Sequence, residues 1–203
     1  MTRQSKFVSF IKEWGVWSLC MLLIILSRLL IWAPVTVQGH PMDPTLQDKE
    51  KLIMVRHTSV QRFDIVVAEE SKADGSKTQV VKRVIGMPGD TIAYKNDILT
   101  VNGEETDEPY LKEYLQTFRK DRLQATYSYD SYFQELARRS PSFTTDSNYQ
   151  SEFSITVPEG EYFLIGDDRI VSKDSRHVGS FTKANIIGEI KFRWWPLNHL
   201  DFF

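Results

Sequence analysis

An apolar run from Trp14 to Pro34 constrains this chain more than any other feature. Trp14 to Ser27 carries no charge, and Leu29 to Val35 continues the run after Arg28. A helix of roughly 20 apolar residues crosses a hydrocarbon core of about 30 Å. Arg28 lies near one end, where a long side chain can snorkel to the interface. Trp14, Trp17 and Trp32 lie toward the two ends, where aromatic rings favour the membrane–water boundary. The run is apolar on all faces, which fits a membrane span better than a soluble core helix. The expectation is a single transmembrane helix over 14–34. Arg3, Lys6 and Lys12 precede it, opposed only by Glu13. The positive-inside rule then puts residues 1–13 in the cytoplasm and residues from about 36 onward outside, in a single-pass protein of the cytoplasmic membrane. A cleaved signal peptide is the alternative. It fits less well, because Ala33-Pro34-Val35 sets a proline where a small-x-small site would be needed.

The chain has 203 residues, enough for one domain or one domain with an inserted lobe. Its net charge of −2 argues against a nucleic-acid partner. The single cysteine, Cys20, excludes an intrachain disulfide framework and a multi-cysteine metal site, and its place in the apolar run reads as a small buried hydrophobe. Beyond Pro34 the pattern becomes extended. Leu52–Val55, Phe63–Ala68, Gln79–Ile85, Ile92–Tyr94, Ile98–Val101, Phe153–Val157, Tyr162–Ile165 and Ile186–Trp195 read as strands. Asp74-Gly75, Asn96-Asp97 and Asn102-Gly103 are turn signals between them. Residues 104–154 are charged and tyrosine-rich, with weak helical spacing over Tyr110–Leu123 and Tyr132–Arg139. The expected architecture is mainly β. Residues 35–103 and 155–203 form its core, and 104–154 form an inserted lobe.

Three clusters stand out for chemistry. The first is Gly39-His40-Pro41-Met42-Asp43-Pro44-Thr45-Leu46, and the second runs from Lys82 to Asp90. The third, Gly166 to Arg176, packs Asp167, Asp168, Arg169, Asp174 and Arg176 around Ser172 and Ser175. Strand alternation puts Lys82 on one face with Val80 and Val84. Burial there would lower its pKa and make it a competent general base. The alternative is a strand-edge lysine with its head in water. The third cluster reads equally as a polar loop held by ion pairs and Asx turns. Its acids are interleaved with Arg169, Lys173 and Arg176, which does not fit a calcium loop. His40, His57, His177 and His199 have no metal-ligand spacing. No metal or organic cofactor is implied.

Taken together, the anchor and the three clusters resemble the bacterial type I signal peptidases, in particular the Gram-positive, streptococcal-like branch, over essentially the whole length. The resemblance implies a membrane-bound serine endopeptidase with a β-rich catalytic domain and a Ser/Lys dyad. It implies partners too: secretory preproteins cut after a small-x-small motif at the outer face of the membrane, and the lipid itself. It assigns Lys82 as general base, Ser172 as the hydroxyl that orients the lysine, and Asp174 and Arg176 as structural support. It puts the nucleophilic serine at the position of Pro41.

Proline has no hydroxyl, so no acyl-enzyme can form there, and no N–H to help bind an oxyanion. Losing one oxyanion donor alone costs on the order of 10²–10³ in rate. The chain as written is therefore expected not to cleave. Three readings follow: a signal peptidase carrying a substitution, a non-catalytic relative that binds preproteins or assists surface-protein or pilus assembly, and a plain anchored β domain. Intact Lys82 and Ser172 favour the first, because an unused buried lysine is destabilising.

Overall fold

The computed structural model describes the backbone of residues 3–72 and 74–203, and the side chains from Trp14 onward apart from Ala73. In chain order the elements are α1 (Arg3–Leu30), β1 (Trp32–Thr36), β2 (Lys51–Val55), β3 (Ile65–Ser71), β4 (Lys77–Gly86), β5 (Thr91–Lys95), β6 (Ile98–Val101) and β7 (Glu104–Thr106). There follow α2 (Lys112–Asp121), α3 (Ser131–Arg139), β8 (Glu152–Thr156), β9 (Glu161–Ile165), α4 (Ser175–Val178), β10 (Phe181–Thr182), β11 (Ile186–Trp195) and β12 (Asp201–Phe202).

Among the described residues, no helix is long and apolar enough to cross a membrane. Arg3, Lys6, Lys12 and Glu13, on which the expected orientation rests, lie outside the described side chains. From Trp14 onward, α1 is nonetheless apolar and uncovered. Val16, Leu23, Ile24 and Leu29 are all more than half exposed. Cys20 is exposed with them, not buried as its apolar setting implied. The helix also stops earlier than the expected boundary at 34. Trp32, Ala33 and Pro34 belong to β1, where they pair with Val55, Met54 and Ile53. Pro34 is tolerated there because β1 is an edge strand, with no ladder bond required on its outer side.

The strands form two antiparallel sheets. The larger runs β1-β2-β11-β3-β4-β9-β10, with β12 added to β11; the smaller runs β7-β6-β5-β8. Asn96-Asp97 and Asn102-Gly103 join β5–β6 and β6–β7 with both residues at positive φ, the geometry whose twist matches the flanking strands. Apolar alternation on β2, β3 and β11 buries Leu52, Met54, Val67 and Ile190 in one core, joined by Val37 just past the end of β1. Ile85, Ile92, Leu99, Val157 and Phe163 form another between the sheets. The segment between β7 and β8 has its own core of Leu111, Tyr114, Phe118, Tyr127, Ala137 and Phe143. Ile170, from the third sequence cluster, plugs into it.

Candidate active site

The first cluster is a turn pinned from below. Met42 and Leu46 are fully buried in the core shared with Val37 and Leu52, and Leu46 N–H donates to Met42 O at 2.9 Å. Burying residue 42 leaves Pro41 beside a groove. That groove, about 400 Å³, is lined by Pro34 to Gln38 on one side and Thr78 to Lys82 on the other, with Pro41 and Val67 also contributing. On β4, residues 77–83 pair with β3, whereas pairing with β9 begins only at Arg83. One edge of β4 over 77–82 is thus free of strand partners among the described residues.

Lys82 lies on this stretch, 3% exposed, with Val66 opposite it on β3. Its Nζ donates to Ser172 Oγ at 2.8 Å. Burial pushes the lysine pKa down, and the Arg176 charge adds to that, while Asp174 pulls the other way. The strand-edge reading with a hydrated head is therefore incorrect for Lys82: the strand edge is free, but the amine is buried.

Gly166 brings the pieces together. A Cβ placed there would stand 2.2 Å from Ser172 Oγ and 2.4 Å from the carbonyl oxygen of Pro41. The first and third clusters thus meet at a point where only a hydrogen fits. The Asp168 N–H donates to that same Pro41 carbonyl at 3.2 Å.

The third cluster is a buried scaffold. Asp174 caps α4 by accepting from Arg176 N, and accepts from Gly166 N at 3.1 Å. The Arg176 guanidinium grips it with two 2.8 Å bonds. Burial opposes the Asp174 charge, but Arg176, Lys82 and the Gly166 N–H outweigh it and hold the carboxyl well below the usual range. Arg176 also donates to the carbonyls of Thr145 and Arg169, each at 3.0 Å.

Several groups that hold the site had no local signal in the sequence. Arg83 grips Asp167 through two bonds of 2.8 and 2.6 Å, and Thr45 donates to Asp167 at 2.6 Å. That triad ties all three clusters together. Arg169, fully enclosed, donates to Gly166 O, Tyr94 Oη, Thr144 Oγ1 and Glu108 Oε1. The one available hint was Lys82-Arg83: two adjacent cations in an apolar strand must each find a partner on opposite faces. Among the described residues, no cluster of side chains is suited to hold a metal ion.

The arrangement offers a depressed-pKa amine oriented by a hydroxyl, beside a groove with a free strand edge. At the meeting point of the clusters stands a proline that can neither attack nor donate.

A family model described as signal peptidase, peptidase S26, matches residues 11–195. Signal peptidase I of Streptococcus pneumoniae strain R6 is 53% identical over 97% of this chain and 98% of its own length. Signal peptidase I of Bacillus caldolyticus is 37% identical over 92% of each chain. A crystal structure of a signal peptidase I from Enterococcus faecalis V583 is 30% identical and superposes with a TM-score of 0.44, over 65% of this chain and 97% of that one.

Proposed function

The chain belongs to the signal peptidase family, peptidase S26, and on that premise we propose that it receives the signal-peptide region of secretory preproteins in the groove beside Lys82. The observation that carries this reading is the meeting of Pro41, Lys82 and Ser172 around Gly166 at that groove. An extended peptide can add as a strand against the free edge of β4, with main-chain hydrogen bonds giving affinity and shallow apolar walls selecting small side chains. Lys82 is the general base of the lineage, Ser172 orients it, and Asp174 with Arg176 fixes the loop that carries Ser172. Position 41 is the nucleophile position. With proline there, the protein as written binds but does not cleave.

We also propose that α1 and the residues following it anchor the protein, with the β core outside and residues 1–13 inside. The uncovered apolar side chains from Trp14 to Ile31 support this, since exposed surface of that kind needs an apolar partner. The site then lies close to the bilayer, where a membrane-embedded signal peptide presents its cleavage point. Residues 104–154 are proposed as a lobe inserted in the core formed by 35–103 and 155–203. A second reading, a non-catalytic protein that captures preproteins or assists surface-protein assembly, is favoured by Pro41 alone.

The test is a preprotein with an Ala-x-Ala site, presented in detergent or vesicles to the chain as written and to Pro41→Ser. Cleavage by Pro41→Ser only is the expected result. Rapid cleavage by the Pro41 form would overturn the inactivity. Failure of both to cleave, with binding retained, would transfer the account to the capture reading.

A further inference from the structure

Two tyrosines from the connection between α2 and α3 reach the turn that carries Pro41. Tyr127, fully buried, donates its hydroxyl to Asp168 Oδ1 at 2.6 Å. The N–H groups of Ile170 and Val171 donate to the same oxygen at 3.2 Å. The Asp168 N–H in turn donates to the Pro41 carbonyl. Two residues along, Tyr129 sets its ring on that of His40, with centroids 4.6 Å apart. The two tyrosine rings meet edge-on at 6.3 Å. His40 Nδ1 lies 3.0 Å from Asp43 Oδ2. These contacts close a ring around position 41, holding its N-terminal neighbour through Tyr129 and its carbonyl through Tyr127 and Asp168. Within the ring, Asp43 Oδ1 and Asp168 Oδ2 are buried with no hydrogen-bond partner among the described residues.

We propose that Tyr127 and Tyr129 are positioning residues for position 41, setting the turn through Asp168 and His40, and that this setting responds to the proton on Asp168. A neutral Asp168 tolerates its buried place. An ionised one puts a second negative charge near Asp43 with one oxygen unsatisfied. Burial pushes the Asp168 carboxyl up to about 7, the Asp43 charge adds to that, and the hydrogen bonds from Tyr127, Val171 and Ile170 oppose it. The groups facing this pair are His40, Asp48 and Glu50 on the segment around Asp43, Tyr114 on α2, and Tyr127 and Tyr129 on the connection.

The inference rests on the reading that position 41 is the reacting position, so two measurements are needed. The first requires no activity. Carboxyl NMR titration on the full chain in detergent should show Asp168 titrating near neutral pH, and the Pro41 carbonyl carbon, which accepts the Asp168 N–H, should show the same inflection. Tyr127→Phe should move the Asp168 midpoint upward, and Tyr129→Leu should shrink the Asp168 inflection at the Pro41 carbonyl. An unmoved midpoint, or a Pro41 carbonyl blind to Asp168 in the chain as written, would overturn the coupling. The second adds Tyr127→Phe to the Pro41→Ser protein. It should lower kcat by roughly tenfold or more at unchanged KM and move the limb of the pH profile on which Asp168 ionises. An unchanged kcat and pH profile would reduce Tyr127 to packing. Absence of cleavage by Pro41→Ser itself would instead count against the proposed function, leaving the NMR result to decide the positioning.

Discussion

Lys82 holds an amine where its strand neighbours hold valines. Its folded pKa lies below its ordinary value of 10.5, so between those two values the folded state binds fewer protons than the unfolded chain. By linkage, stability then rises with pH toward 10.5 and falls as the medium is acidified. Lys82→Met removes this burden and nearly keeps the shape. It should raise the unfolding midpoint at pH 7 and flatten the pH dependence, as read by thermal unfolding. Asp168 has the opposite sign. Its folded pKa of about 7 exceeds its ordinary 3.8, so its unfavourable contribution grows as pH rises from 3.8 and is complete above about 7. Asp168→Asn should therefore stabilise the protein above pH 7, by at most a few kcal/mol, and do little below pH 4. Equal effects at both ends would contradict the burial of an ionisable carboxyl. Lys82 was legible as a candidate from its place in an apolar strand, but that pattern left a hydrated strand-edge lysine open, and only the family resemblance assigned its role. Asp168 was legible only as one of several loop acids, because its partner Tyr127 is 41 residues away.

The loop from Gly166 to Arg176 behaves as one element. Its charges pair inward: Asp167 with Arg83, Arg169 with Glu108, and Arg176 with Asp174. Removing one partner of such a pair leaves an uncompensated buried charge, which costs about 3–5 kcal/mol. Asp167→Asn should lower stability on that scale in denaturant titrations, and more than the exposed Lys95–Glu152 pair would when broken. Gly166→Ala tests the close approach directly. Its Cβ would collide with the Ser172 hydroxyl and the Pro41 carbonyl, so the Lys82–Ser172 bond should be lost even if the chain still folds. An Ala variant with an unshifted Lys82 amine signal would contradict it. Hairpins such as Asn96-Asp97 were readable because two residues of defined φ fix the connection locally. The ion pairs were not, because Arg83 and Asp167 are 84 residues apart and sequence spacing carries no trace of their meeting.

Across the whole molecule, two antiparallel sheets and a helical excursion agree with the expected mainly β architecture. The expected end of the N-terminal helix at Pro34 was too late. Trp32 and Ala33 are apolar enough for either a helix or a strand, and only pairing with β2 decides between them. That pairing draws the helix end, the groove wall and the turn of Pro41 into one continuous piece. The proposed function comes down to one statement to be tested: that the site lacks a nucleophile and little else. The most direct measurement is the pH dependence of single-turnover preprotein cleavage by Pro41→Ser, with Pro41→Ser/Lys82→Met as its partner. The account predicts cleavage whose rate rises through a midpoint below the ordinary lysine pKa and disappears with Lys82. Cleavage that survives the loss of Lys82, or a Pro41→Ser protein that binds the preprotein and never cuts it, would contradict it.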